Sequence, residues 1–319
     1  MVLAFATCLG LTLITGSYTL YHASAFLFEW DLSDRMEQLR RERKLELVLL
    51  FGKVALWLSW GSFWLLLLLY ASELTSWVEG AMCGEGVMEA AGSQARQGLG
   101  LFFASIPLSG WWWGMAQRQE ARLLVAEEDP RPLARLWLIW LPLVGFAGVL
   151  TLNGLSHLIT AQVVDCCAAA YDGLLGARSL SDATGRGNAD TFLFFFLPTM
   201  ALYGVGLWRR AKKLTLGALS GGWLILMVFG KSVVLPPVYG VLHHHCLWCT
   251  LTEVGSFWGW AMLGTGAPLT LALTALQTTS PSWEGRWWTW VRWGSLIHFA
   301  VLFAPLLWVR WQSGFWLMD

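Results

Sequence analysis

Apolar residues in this chain gather into eight long runs, at roughly 2–27, 47–71, 98–116, 136–160, 191–208, 215–238, 254–276 and 293–312. Each is near the length that a helix needs to cross a hydrocarbon core, about 20 residues. Between them lie short polar stretches rich in Arg, Lys, Gly and Ser. No alternation with a period of two marks a strand, and no polar segment is long enough to fold as a separate soluble domain. The pattern predicts an all-α protein, a polytopic membrane helix bundle with about eight transmembrane helices, forming a single integral membrane domain over 1–319.

The distribution of positive charge orients the helices. The loop after the first run carries Arg35, Arg40, Arg41, Arg43 and Lys44. The loop after the third carries Arg118, Arg122, Arg131 and Arg135, and that after the fifth Arg209, Arg210, Lys212 and Lys213. The loop after the seventh carries Arg286 and Arg292. These hold most of the 21 basic residues. They belong on the inner side, which places both termini outside. The stretch 29–46 mixes acids and bases at helical spacing, as in Glu37 with Arg41 and Arg43 with Glu46, and reads as a solvated extension of the second helix.

Composition agrees. The chain is 56% hydrophobic and 13% charged, with a mean hydropathy of +0.53, where soluble domains carry about 25% charged residues. The lipid bilayer is therefore the first partner. A formal net charge of zero argues against nucleic acid as another. The 23 tryptophans, many near helix ends, suit the headgroup zone. The first apolar run has no basic residue before it, so it is expected to be a retained helix rather than a cleaved signal.

On this topology all six cysteines fall on the outer side, at outer helix ends or in outer loops. The sharpest motif is His243-His244-His245-Cys246-Leu247-Trp248-Cys249. A CxxC lets two sulfurs close a small ring or share one metal. Pro236-Pro237 should end the sixth helix, and the seventh would then start near His245. A helix N-terminus and protonated histidines both favour thiolate. On a helix His245, Cys249 and Glu253 share one face, which gathers a base, a thiol and a carboxylate. Thr250 follows the second cysteine, so the C-x-x-C-H pattern of a c-type haem is missing.

The second motif is the adjacent pair Cys166-Cys167, after Asp165. Adjacent cysteines rarely bond to each other without strain, so each would find another partner, exchange with the CxxC, or join in holding a soft ion. Cys83 is a further outer thiol, able to pair with either. Cys8, two turns into the first helix, reads as a buried inert thiol. Polar residues inside apolar runs include Asn153 and His157, one turn apart, and Lys231. They would floor an outer-facing cavity under the cysteines or sit at the interface. His22 and His298 fall near inner helix ends and suit either interfacial packing or, as a pair, haem b. Gly110 and Gly114 form one GxxxG, a sign of close helix packing.

The combination of a membrane bundle, an outer CxxC at a helix start and a second outer cysteine pair resembles the vitamin K epoxide reductase and quinone-linked disulfide-bond-forming membrane oxidoreductases. The resemblance implies that Cys246 and Cys249 are the quinone-proximal pair. It implies that Cys166 and Cys167 shuttle electrons to or from a soluble thiol protein on the outer face. Their adjacency departs from the family pattern, and eight helices exceed its four- or five-helix core. The expected function is membrane thiol–disulfide exchange, with Cys246, Cys249, Cys166, Cys167, His245 and Glu253 in catalysis and Trp248, His157 and Lys231 around a quinone. The expected location is a bacterial inner membrane with the cysteines facing the periplasm. Two other classes stay open. One is a copper- or zinc-binding membrane protein using His243, His244, His245, Cys246, Cys249, Cys166, Cys167 and Cys83. The other is a non-catalytic membrane subunit of a respiratory or secretion assembly.

Overall fold

The computed structural model describes residues 1–28, 35–79, 81, 84–122, 130–160, 187–229, 251 and 256–313. Among these described residues every regular element is helical. The helices are α1 (Val2–Phe28), α2 (Arg35–Leu68), the short α3 (Gly84–Ala90), α4 (Gly92–Arg122), α5 (Arg131–His157), α6 (Gly187–Arg209), α7 (Lys212–Phe229), α8 (Ser256–Thr278) and α9 (Pro281–Ser313). The spans Val2–Leu27, Glu42–Ser76, Arg131–His157 and Trp258–Thr278 are long and apolar enough to cross a membrane. Among the described residues, eight helices reach 18 residues or more, one at each of the eight apolar runs.

Several helices are longer than their apolar runs. Helix α2 begins at Arg35 and α4 at Gly92, because charged residues interrupt hydropathy without interrupting the backbone ladder. The long charged side chains here are good helix formers. Helix α9 corrects the sequence reading most. Expected from about 293, it starts at Pro281, where a first-turn proline costs no hydrogen bond. His298 therefore lies at the middle of a 33-residue helix, not near an inner end.

The described residues form two compact units. The first comprises Met1–Glu73, Ala90–Ala161 and Thr270–Trp287. Its α1, α2, α4 and α5 pack as an antiparallel bundle. The Cys8 thiol donates to Leu58 O across α1 and α2, and the rings of Tyr18 and Phe51 meet further along the same pair. Phe63 meets Phe103 between α2 and α4. Trp112 and Trp137, both buried, lie 5.5 Å apart between α4 and α5. One turn on, the indole of Trp140 donates to Ser109 Oγ at 2.9 Å. The antiparallel order brings the exposed Arg40, Arg43, Lys44, Arg118 and Arg135 to one end of the bundle, beside the Lys53–Glu120 ion pair.

The GxxxG of α4 does pack closely. An ideal Cβ at Gly110 would fall 1.9 Å from Thr274 Oγ1 and 2.5 Å from Leu271 O. At Gly114 it would fall 2.2 Å from Ala275 O. The end of α8 thus lies in backbone contact with α4. Thr278 Oγ1 donates to Trp111 O at 2.9 Å in the same seam.

The second unit comprises Leu74–Glu89, Gln162–Leu269 and Trp288–Asp319. Helices α6 and α7 form a hairpin across the turn at Arg210, a non-glycine residue with φ of 53°. The α8 part and the α9 part also run antiparallel: Trp258 Nε1 donates to Val301 O at 2.7 Å, and Thr265 meets His298 further along.

Candidate functional site

Most of the residues singled out from the sequence, namely Cys83, Cys166, Cys167, Lys231, His243, His244, His245, Cys246, Trp248, Cys249 and Glu253, lie outside the described residues. His157 is the last residue of α5 and is exposed, as is Asn153 one turn before it. Cys8 is half-buried, with its thiol 3.1 Å from Leu58 O. That contact with a carbonyl fits a packed thiol rather than a reactive one. His22 packs edge-on against Tyr18 and Tyr21, and its Nε2 is buried with no hydrogen-bond partner. Among the described residues no group of three or more His, Cys, Asp or Glu side chains is arranged to hold a metal ion.

One described residue touches the CxxC stretch directly in sequence. Leu251, two residues after Cys249, is buried and helical. Its carbonyl accepts a hydrogen bond of 2.9 Å from Trp260 Nε1 on α8. This bond ties the Leu251 backbone to a side chain on the second turn of α8.

Deeper in the second unit is a polar seam of which the sequence singled out only His298. His298 on α9 is only 2% exposed. Its Nδ1 lies 2.8 Å from Thr265 Oγ1 on α8, and its ring is tilted 32° against Trp223 of α7 at 5.4 Å. One turn back on α9, Ser295 Oγ lies 2.5 Å from the Tyr203 hydroxyl of α6. Four helices therefore meet through five side chains.

The hydroxyls show how the hydrogens are shared. Thr265 Oγ1 is 2.7 Å from Ala261 O, and Ser295 Oγ is 2.5 Å from Val291 O. Each hydroxyl has one hydrogen, and each gives it to its own helix four residues back. Each oxygen is then left to accept. Tyr203 donates to Ser295, and His298 donates Nδ1–H to Thr265. That assignment leaves His298 Nε2 as a bare acceptor in the neutral imidazole.

The close approach of α8 to these rings depends on Gly266. An ideal Cβ there would lie 2.6 Å from Trp223 Cζ2 and 3.0 Å from His298 Cε1. A sequence signal for the seam did exist: an ionisable residue in an apolar run, with Ser295 three residues before it. Its partners, Thr265 and Trp223, lie 33 and 75 positions away, which no local pattern reveals.

No family model, no curated protein and no solved structure matches the chain.

Proposed function

We propose that this protein is an integral membrane thiol–disulfide oxidoreductase of eight spans with both termini outside. The observation that carries the reading is the CxxC at Cys246 and Cys249, separated from α8 by six residues in the sequence. Helix N-termini stabilise thiolate, the species that attacks. The charge pattern puts the same segment on the outer side, together with Cys166 and Cys167.

The chemistry is a sequence of exchanges. A client thiolate attacks a sulfur of an oxidised protein pair, the old sulfur–sulfur bond breaks, and a mixed disulfide forms. The client's second thiolate then displaces the protein sulfur, leaving the client disulfide and a reduced protein pair. When the client is oxidised, its two electrons and two protons pass through Cys166-Cys167 to Cys246-Cys249; a quinone held near Trp248, His157 and Lys231 would supply the final two-electron, two-proton acceptor. His245 takes the proton from the attacking thiol, and Glu253 orients it.

The test has two arms. In membrane vesicles of known orientation, the Cys246→Ser/Cys249→Ser variant should lose exchange with an outer dithiol. Unchanged exchange in that variant refutes the assignment. An impermeant maleimide should label Cys166, Cys167, Cys246 and Cys249 from the outer face only; labelling from the inner face overturns the topology. Copper or zinc retained through purification, with these thiols reduced and no exchange activity, points instead to metal binding.

A further inference from the structure

We propose that the seam formed by His298, Trp223, Thr265 and Gly266 is a binding site for a lipid-soluble molecule carrying a hydroxyl, an alcohol or phenol on an apolar body. Two polar groups there have spare hydrogen-bonding capacity of opposite kinds. His298 Nε2 is an acceptor, because Nδ1 is the nitrogen that donates to Thr265. Trp223 Nε1 is a buried donor with no partner. The two rings belong to one contact, 5.4 Å between centroids. A buried indole N–H left unmatched costs free energy. A hydroxyl can accept from one group and donate to the other at the same place, which neither a bare carbonyl nor a cation can do.

The surroundings select the body of the ligand. Thr265 is nine residues into α8 from Ser256, about 14 Å along the helix, so the seam is far from the helix end. Leu224 and Ile297, next in sequence to Trp223 and His298, are 63% and 53% exposed. In a bilayer such side chains face lipid. The two helices that carry the pair therefore border the acyl chains, from which an apolar molecule enters sideways. The site is independent of the cysteine chemistry, and its test does not use it.

The experiment uses full-length protein in nanodiscs, labelled with nitrogen-15 in its six histidines, with 1-octanol as the probe and n-octane as its hydroxyl-free counterpart. The His298 signal is assigned as the one missing from His298→Gln. Octanol should move the His298 Nε2 resonance saturably, and octane should not. Trp223→Phe keeps an aromatic ring and breaks no hydrogen bond in the protein. It should leave the His298 signal in place without probe and weaken octanol binding about five- to tenfold, the effect of one lost hydrogen bond. Gly266→Ala, whose methyl occupies the ring contact, should abolish the saturable shift. The proposal is overturned if octane shifts the signal as octanol does, if Trp223→Phe binds octanol as the unsubstituted protein does, or if octanol gives no saturable shift and the seam holds water alone.

Discussion

Replacing Gly110 by Ala adds one methyl group to the seam between α4 and the end of α8. The ideal position of that carbon is 1.9 Å from Thr274 Oγ1, 2.5 Å from Leu271 O and 3.0 Å from Leu271 Cα. An unstrained carbon–oxygen contact needs about 3.3 Å, the lower end of the C–H···O range. The Thr274 hydroxyl can be displaced by a side-chain rotation, although it would lose its bonds to Thr270 O and Leu271 O. The Leu271 carbonyl belongs to a helix and moves only with it, by nearly 1 Å. Overpacking of this kind costs about 1–3 kcal/mol, and loss of the Thr274 contacts adds to it. The control is Gly100→Ala on the same helix, where nothing lies within 4 Å of the added carbon. It should be neutral or stabilising by up to about 1 kcal/mol, the difference in helix propensity. Reversible unfolding in mixed micelles, followed by circular dichroism, measures both. Gly110→Ala/Thr274→Ala should recover only a small part of the loss, because the carbonyl clash persists. Equal stability of Gly110→Ala and Gly100→Ala would refute the backbone contact, and so would full rescue by Thr274→Ala.

Two further outcomes follow from the buried hydrogen bonds. Trp140→Phe should cost about 1 kcal/mol, since Ser109 keeps its bond to Ser105 O, whereas Ser109→Ala leaves a buried indole N–H without a partner and should cost about 1–3 kcal/mol; the same unfolding measurement tests the order, and a reversed order contradicts it. Tyr203→Phe and Ser295→Ala should show the same asymmetry, with the serine variant the more harmful, because Ser295 still donates to Val291 O when the phenol is gone.

The eight apolar runs anticipated eight long helices because hydropathy measures what lipid and a packed interior both require. They misjudged the ends of α4 and α9, where charged residues continue the helix beyond the apolar stretch, whereas the helical spacing of charges over 29–46 anticipated the start of α2 at Arg35. The antiparallel order of α1, α2, α4 and α5 agrees with the alternation of basic loops, and Gly110 and Gly114 marked a close contact, though not its partner. Cysteine spacing made Cys246 and Cys249 conspicuous, since CxxC is a local motif. Of the polar seam, only His298 was legible, not its partners. His298 looked interfacial because Glu284, Arg286 and Arg292 lie ahead of it and shortened the apparent apolar run.

The chain alone determined that this is an all-helical protein with helices apolar enough to cross a membrane, and where its basic residues and cysteines fall along the sequence. Such properties follow from transfer free energy and charge, which each residue carries whatever its neighbours. Tertiary structure decided which glycine meets which backbone, that Leu251 is tied to Trp260, and that His298, Thr265 and Trp223 share one contact. Hydrogen-bond complementarity between helices depends on register and rotation, and these are set only when whole helix faces pack together.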